Sequence, residues 1–265
     1  MEKIKKLKKL FKIYKLDGYL IPKNDEYFNE YIRPSKDRLK FISNFSGSAG
    51  FAIILKDKNY LFVDGRYTIQ AQIQSGNNFN IITIPQKYPK DVFKNKKKIK
   101  IGYDPKLVNE KYLNFIFDFK NIELNSINKN LVDTLWLNKP KERFKPFYLL
   151  NKNEVGQDSK NKITKIKKIL VKNKIDCLLI TAPENIAWTL NIRGHDSEFS
   201  PVPNARLLFY CDGNIDFFSK KEKILKIKKI FSEKINFYDE NTIEKKLSKI
   251  RNNNVWIDSL TCPVF

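Results

Sequence analysis

The residues best suited to chemistry in this sequence are few and scattered. There is one histidine, His195, and there are three cysteines, Cys177, Cys211 and Cys262, far apart along the chain. A zinc or dinuclear centre needs several His, Cys, Asp or Glu ligands, so a metal site here would rest almost wholly on carboxylates. The sequence contains no HExxH, no CxxC pair and no EF-hand loop. Serine–histidine–aspartate catalysis would have to draw on His195, which follows Gly194 and stands beside Asp196. That placement suits a capping or hydrogen-bonding loop residue better than a general base. Gly47-Ser48-Ala49-Gly50 lacks the closing Lys-Ser/Thr of a phosphate-binding loop, and its glycines read as permitting a tight backbone turn into the strand that follows. Cys177 lies in an apolar strand and reads as a small core residue. Dispersed cysteines in odd number suit free thiols in a reducing compartment. From the residues alone, neither catalytic residues nor metal ligands are expected.

Charge raises a different possibility. Over 265 residues, 51 Lys and Arg stand against 29 Asp and Glu, a formal net charge of +22. Such an excess could bind polyanions by releasing counterions. Only seven of the 51 cations are arginines, at positions 33, 38, 66, 143, 193, 206 and 251. Base-edge readout and bidentate phosphate contacts favour arginine, so specific nucleic-acid binding is not expected. The densest runs have structural readings. Lys94–Lys100 reads as a loop ahead of a strand, and Lys220–Lys229 as the polar side of a helix burying Ile224, Ile227 and Ile230. Lysines interrupt every apolar run short of the ~18–20 residues that span a bilayer. The N-terminus has no signal-peptide pattern, so a cytoplasmic protein without a membrane partner is expected.

The elements that must position any site follow from periodicity. Ile4, Leu7, Leu10, Phe11 and Tyr14 share a helical face over 3–15, with Gly18 as a stop before the strand Tyr19–Ile21. Phe51–Leu55 and Tyr60–Val63 predict a hairpin, 66–75 a helix, and Asn80–Ile84 and Ile99–Tyr103 further strands. Leu131–Leu137 is a short amphipathic segment. Pro140, Pro146 and Gly156 break the pattern between 138 and 157. The order then repeats: a helix face of Ile163, Ile166, Ile169 and Leu170, then a strand at Ile175–Ile180. A helix opened by Pro183 and closed by Gly194 follows. Cys211-Asp212-Gly213-Asn214 is the turn of a hairpin joining 206–210 to 215–218, and a strand–helix–strand unit ends at Val255–Ile257. The expectation is an α/β protein of two related domains, each a mixed sheet flanked by helices: 1–137, a linker at 138–157, and 158–265, the second cut short at its C-terminal end.

Four stretches in register carry a family likeness. Phe41–Gly50 (FISNFSGSAG), Phe62–Tyr67 (FVDGRY), Asn130–Asp133 (NLVD) followed by Trp136, and Glu184–Gly194 (ENIAWTLNIRG) closely resemble the N-terminal half of Xaa-Pro aminopeptidases of the creatinase/prolidase superfamily. The likeness runs through essentially the whole chain. It implies two creatinase-N-type domains. In the long cytosolic form of that family a third domain, of pita-bread fold, holds two Mn²⁺ ions through Asp, His and Glu and removes the N-terminal residue from Xaa-Pro peptides. The resemblance thus implies the non-catalytic N-terminal part of such a metallopeptidase, without bound cofactor, positioning proline-containing peptides and supporting a homodimer. It also assigns a role to Arg66, which in the family motif helps hold the peptide substrate, and Asp64 is expected to cap the following helix. An exposed Arg66 without a partner is expected on this reading. The other reading of the chain is a stand-alone peptide- or nucleic-acid-binding module. At His195 the sequence departs from the small residue usual after Arg-Gly in the family.

Overall fold

The structure, a computed structural model, describes residues 2–94, 98–117, 120–231 and 235–264. It divides into two units. Met1–Glu26, Pro34–Lys141 and Pro263–Phe265 make the first, and Tyr27–Arg33 with Glu142–Cys262 make the second.

The first unit runs α1 (Glu2–Ile13), β1 (Gly18–Pro22), α2 (Arg38–Ser43), β2 (Phe51–Leu55), β3 (Asn59–Asp64) and α3 (Thr68–Ser75). It continues through β4 (Asn80–Ile84), α4 (Pro89–Val92), β5 (Ile99–Tyr103), α5 (Glu110–Ile116) and β6 (Ile122–Ser126). Its six strands lie in the order β4-β3-β2-β1-β5-β6. The central β1 is buried along its whole length, antiparallel to β2 and parallel to β5. Alternation sends Tyr19 and Ile21 into a cluster with Leu7 and Phe11 of α1 and Leu39 and Ile42 of α2. Leu20 points the other way, to Phe51, Phe62, Phe93 and Ile101. A strand covered on both faces has to be apolar throughout, which is why Tyr19-Leu20-Ile21 reads so clearly.

The second unit contains β7 (Tyr148–Leu149), α6 (Ser159–Lys172), β8 (Cys177–Ile180), α7 (Pro183–Leu190), β9 (Ile192–Arg193), β10 (Arg206–Tyr210) and β11 (Ile215–Phe218). It closes with α8 (Lys221–Lys228), β12 (Ile235–Tyr238), α9 (Ile243–Ser248) and β13 (Val255–Ile257). Its five-stranded sheet has the order β12-β11-β10-β8-β13, and β7 and β9 form a separate antiparallel pair. The sense of every pairing repeats the first unit. β8–β10 and β10–β11 are antiparallel like β1–β2 and β2–β3; β11–β12 and β8–β13 are parallel like β3–β4 and β1–β5.

Several details differ from the sequence reading. The chain leaves α1 through Lys15, whose φ of 52° is left-handed. Gly18 is instead the first residue of β1, where a Cβ would approach the Ile54 carbonyl oxygen to 2.8 Å. Residues 66–75 begin as a 3-10 turn at Gly65–Tyr67 before α3. Leu131–Leu137 is a 3-10 turn at Asp133–Leu135 with Leu131 and Val132 buried, because its apolar side chains drop into the cluster beneath α1. α7 is closed by Asn191 in the left-handed region, three residues ahead of Gly194. Ile169 and Ile230 are exposed rather than buried, since α6 turns Leu170 inward and α8 ends at Lys228. Within 138–157, Phe147 is buried in the second core and Tyr148–Leu149 pair with β9. Of the run 94–100, residues 95–97 lie outside the described residues.

Gly50 shows how the glycine-rich turn works. Its φ is 146°, and a Cβ would lie 2.6 Å from the Phe62 carbonyl oxygen. Gly50→Ala is therefore expected to lower stability by ~1–3 kcal/mol, read as a shift in denaturation midpoint with the m-value unchanged. An unaltered midpoint would show that β2 can relax away from β3.

Candidate functional site

The corner where β3 meets α3 carries the residue singled out from the sequence. Asp64 ends the strand, and its Oδ1 accepts the Arg66 backbone N–H at 2.9 Å, capping the 3-10 turn. The same carboxylate grips the arginine head: Nη2 donates to Oδ2 at 2.7 Å and Nε to Oδ1 at 3.2 Å. The Arg66 side chain is nevertheless 73% exposed. The arginine hydrogen bond, followed by backbone donation and charge, holds the Asp64 carboxyl below its ordinary range, and the same pairing raises Arg66.

Arg66 is thus at the surface, as the sequence suggested, but it has a partner. Two-residue spacing explains this: a cap that turns back on its own helix start places the carboxylate under the guanidinium. Nε and Nη2 are engaged, while Nη1 has no hydrogen-bond partner among the described residues. The arrangement presents a forked cation whose orientation is set and whose outer donors face solvent.

The surroundings hold the corner in place. Tyr67 OH lies 2.8 Å from Ser48 Oγ, and its ring packs edge-on against Phe45 at 5.8 Å. The Arg66 guanidinium carbon lies 5.3 Å from the Tyr67 ring centre. Ser46 donates its N–H to Gln74 Oε1 at 2.8 Å, and Gln70 and Gln74 both donate to Ser46 Oγ. The FSGSAG and DGRY segments therefore meet in space. Their joint occurrence was the only sequence signal for this, and the Ser46–Gln74 and Ser48–Tyr67 contacts escaped the reading. Ile69 and Ile73, one turn apart on α3, are exposed beside this corner.

The other sequence candidates fall elsewhere. His195 is exposed, its ring 5.3 Å from that of Tyr148, and its carbonyl accepts from Arg33. Its neighbour Asp196 is the buried member, accepting from Lys223 at 2.9 Å and from the Asn204 N–H at 2.7 Å. All three cysteines are free thiols, and burial, reinforced by Asp176 and Cys211, pushes the Cys177 thiol up to about 11. Among the described residues no three His, Cys, Asp or Glu side chains converge as a metal site. No helix among the described residues is long and apolar enough to cross a membrane.

Comparison with known proteins places these features in context. Two family models, both described as "Creatinase/Prolidase N-terminal domain", match residues 3–129 and 138–265. A "Probable Xaa-Pro aminopeptidase P" of Coprinopsis cinerea is 32% identical over 216 residues, covering 78% of this chain and 35% of the relative. A protein of the same name from Pyricularia oryzae is 35% identical over 199 residues, covering 71% of this chain and 32% of the relative. Aminopeptidase P1 of Lotus japonicus is 28% identical over 224 residues, 82% of this chain and 34% of its own length. Among solved structures, an X-prolyl aminopeptidase from Caenorhabditis elegans, described as a cytosolic enzyme with a di-nuclear active site, superposes with a TM-score of 0.86. That likeness is at 24% identity, over 97% of this chain and 49% of the other. The chain thus spans about a third of the length of these curated relatives and about half of that solved chain.

Proposed function

The chain belongs to the creatinase/prolidase N-terminal domain family, with two such domains in tandem, and from this premise we propose that it is the substrate-positioning, non-catalytic part of an Xaa-Pro aminopeptidase. The reading rests on one observation above all: Arg66 offers an exposed, pre-oriented guanidinium at a corner stiffened by Asp64, Tyr67 and Ser48. Such a fork is suited to a peptide carbonyl or terminal carboxylate, and Asp64 limits the entropy lost when it engages. The catalytic metal chemistry, including the two Mn²⁺ ions, belongs on this proposal to a separate domain of the full-length enzyme. A homodimer is the assembly we assign to that enzyme, and the cytoplasm its compartment, in keeping with the free thiols. The nucleic-acid alternative draws less support, because arginines that would read phosphates are engaged within the fold. Arg38 and Arg206 are buried, and Arg33 binds the carbonyls of His195 and Asp196.

Joining this chain to the remainder of a full-length relative supplies the test. Arg66→Ala is expected to lower kcat/KM on an Xaa-Pro peptide about ten- to a hundredfold while leaving the unfolding midpoint unchanged. Arg66→Lys, which keeps charge but loses the fork, should restore only part of the rate. Full activity in Arg66→Ala would remove the residue from substrate handling and the reading with it.

A further inference from the structure

The lysines of α8 differ in what answers their charge. Lys220, which caps the helix, is followed by Lys223 and Lys226 at three-residue spacing, so the three share one stripe. Lys220 pairs with Glu240 at 3.4 Å, and Lys223 with the buried Asp196 at 2.9 Å. Lys226 has no carboxylate partner among the described residues, although Glu222 stands four residues before it on the same helix. It borders instead an open cavity of about 420 Å³ whose other walls are Lys145, Pro146, Tyr148 and His195. Lys145 likewise lacks a carboxylate, and the His195 ring has no hydrogen-bond partner among the described residues. Two ammonium groups and an imidazole thus border one cavity with no acid in its lining.

The backbone that carries these groups is held independently of them. Tyr148 lies in β7, paired with Arg193 of β9, and its neighbour Phe147 is fully buried and donates its N–H to the Lys223 carbonyl at 2.8 Å. That bond ties the segment 145–148 to α8 and so to Lys226. His195 is anchored on either side: the Gly194 N–H donates to the Pro201 carbonyl at 3.0 Å, and the His195 carbonyl accepts from Arg33 at 2.7 Å. Asp196, next along, is spent on Lys223 and the Asn204 N–H, so its charge does not neutralise the cavity. The Tyr148 and His195 rings lie against each other, 5.3 Å and 32° apart. Like charges gathered around one concavity repel, and a bound anion relieves that repulsion.

We propose that this cavity binds a small phosphomonoester, its phosphate between Lys145, Lys226 and the His195 ring and its organic part along Tyr148 and Pro146. Three donors that come from three separate segments suit a tetrahedral dianion with three outer oxygens better than a planar carboxylate. The volume exceeds that of a lone phosphate and is of the size that small-molecule sites have, and Tyr148 and Pro146 supply apolar surface for the rest of the ligand. A nucleic-acid strand fits less well, because no arginine lines the cavity and each backbone phosphate carries a single charge. The inference does not depend on the peptidase reading.

His195 is the only histidine, so its imidazole Cε1–H gives one unambiguous NMR resonance in the intact chain. Phenyl phosphate is the probe, titrated at constant pH and about 0.15 M salt to screen the diffuse +22 surface. The resonance is expected to shift saturably, with inorganic phosphate binding more weakly and phenol not at all. Lys226→Ala and Lys145→Ala should each weaken phenyl phosphate about tenfold, and both positions are exposed, so the circular dichroism should not change. Lys9→Ala, at an exposed position on α1, should leave the affinity unaltered. No saturable shift, or full binding by both cavity variants, would overturn the proposal. So would equal weakening by Lys9→Ala, which would make the whole surface the binder, or binding of phenol or inorganic phosphate as tight as that of phenyl phosphate. A single-stranded oligonucleotide that displaces phenyl phosphate at a lower phosphate concentration would assign the cavity to nucleic acid and overturn it too.

Discussion

Replacing Arg38 with alanine is expected to destabilise the first unit by ~3–5 kcal/mol, because it leaves carboxylates in a site built around a charge. The guanidinium is 2% exposed and meets Glu26 through Nη2 at 2.7 Å and Asp133 through Nη2 and Nε at 2.8 and 3.0 Å. Lys36 reaches the other oxygen of Glu26, and Lys139 shares Asp133 Oδ1 with the arginine. Burial by itself would raise the Glu26 carboxyl, but Arg38 and then Lys36 outweigh it and hold the group at about 2, against an ordinary 4.5. A depressed carboxylate stabilises the fold above its unfolded pKa and loses that effect as pH falls towards its folded one. Wild type should therefore weaken between about pH 4.5 and 2. Without Arg38 the burial effect on Glu26 is less opposed, protonation becomes favourable to the fold, and the deficit of the variant should narrow over the same window. Urea unfolding of both proteins at neutral and acid pH measures this. A deficit below ~1 kcal/mol, or one that widens on acidification, would show that Glu26 and Asp133 are solvated well enough without the arginine.

What the sequence made legible follows from which interactions leave a periodic trace. The face Ile4, Leu7, Phe11 and the run Tyr19-Leu20-Ile21 state their burial directly, since hydrophobic spacing is set by helix and strand geometry. The Asp212-Gly213 turn and the Pro183 helix start are local chemistry and stand in the structure as read. Buried charge leaves no such trace. Arg38, Lys162 and Lys223 lie inside, yet each belongs to a residue type that is nearly always outside, and Lys223 stands in a run that reads as a solvated helix face. Ile169 and Ile230 fail for the converse reason, since in lysine-rich helices an isoleucine completes a pattern whether or not the core reaches it. At the Arg66 corner the Asp64 cap was legible because capping is local. The second use of that carboxylate, as a clamp on the guanidinium, depends on a side-chain rotamer that no spacing encodes. The repeat was visible as an order of elements. Its side-chain detail, with Lys3 over the Phe41 ring and Lys162 over the Trp188 ring at 4.4 Å each, was hidden because these residues sit in segments joined by loops of unequal length.

Asp196→Ala is the corresponding test in the second unit, with a loss of ~3–5 kcal/mol expected. The carboxylate is 2% exposed and Lys223, 2.9 Å away, is 4% exposed. Its other oxygen accepts the Asn204 N–H at 2.7 Å, and Arg33 lies 3.2 Å from the oxygen that Lys223 holds while donating to the backbone carbonyls of His195 and Asp196. Alanine removes the acceptor for a buried ammonium and for a buried amide together, and water has little access to replace either. Burial already depresses Lys223 below its ordinary 10.5, with Asp196 opposing the shift. Losing that opposition depresses it further. A lysine that binds its proton less well folded than unfolded makes stability rise with pH from its folded value up to the ordinary one. The deficit of Asp196→Ala should therefore shrink as pH rises from neutral towards about 10, the reverse of the acid relief expected at Arg38. Asp196→Asn keeps an acceptor for the Asn204 N–H and should cost less at every pH. Hydrogen exchange at the amides of β10 and β11 reports the second unit directly. A deficit independent of pH would mean that Lys223 swings out to solvent once its partner is gone, so that the cost is the lost acceptor rather than a stranded charge.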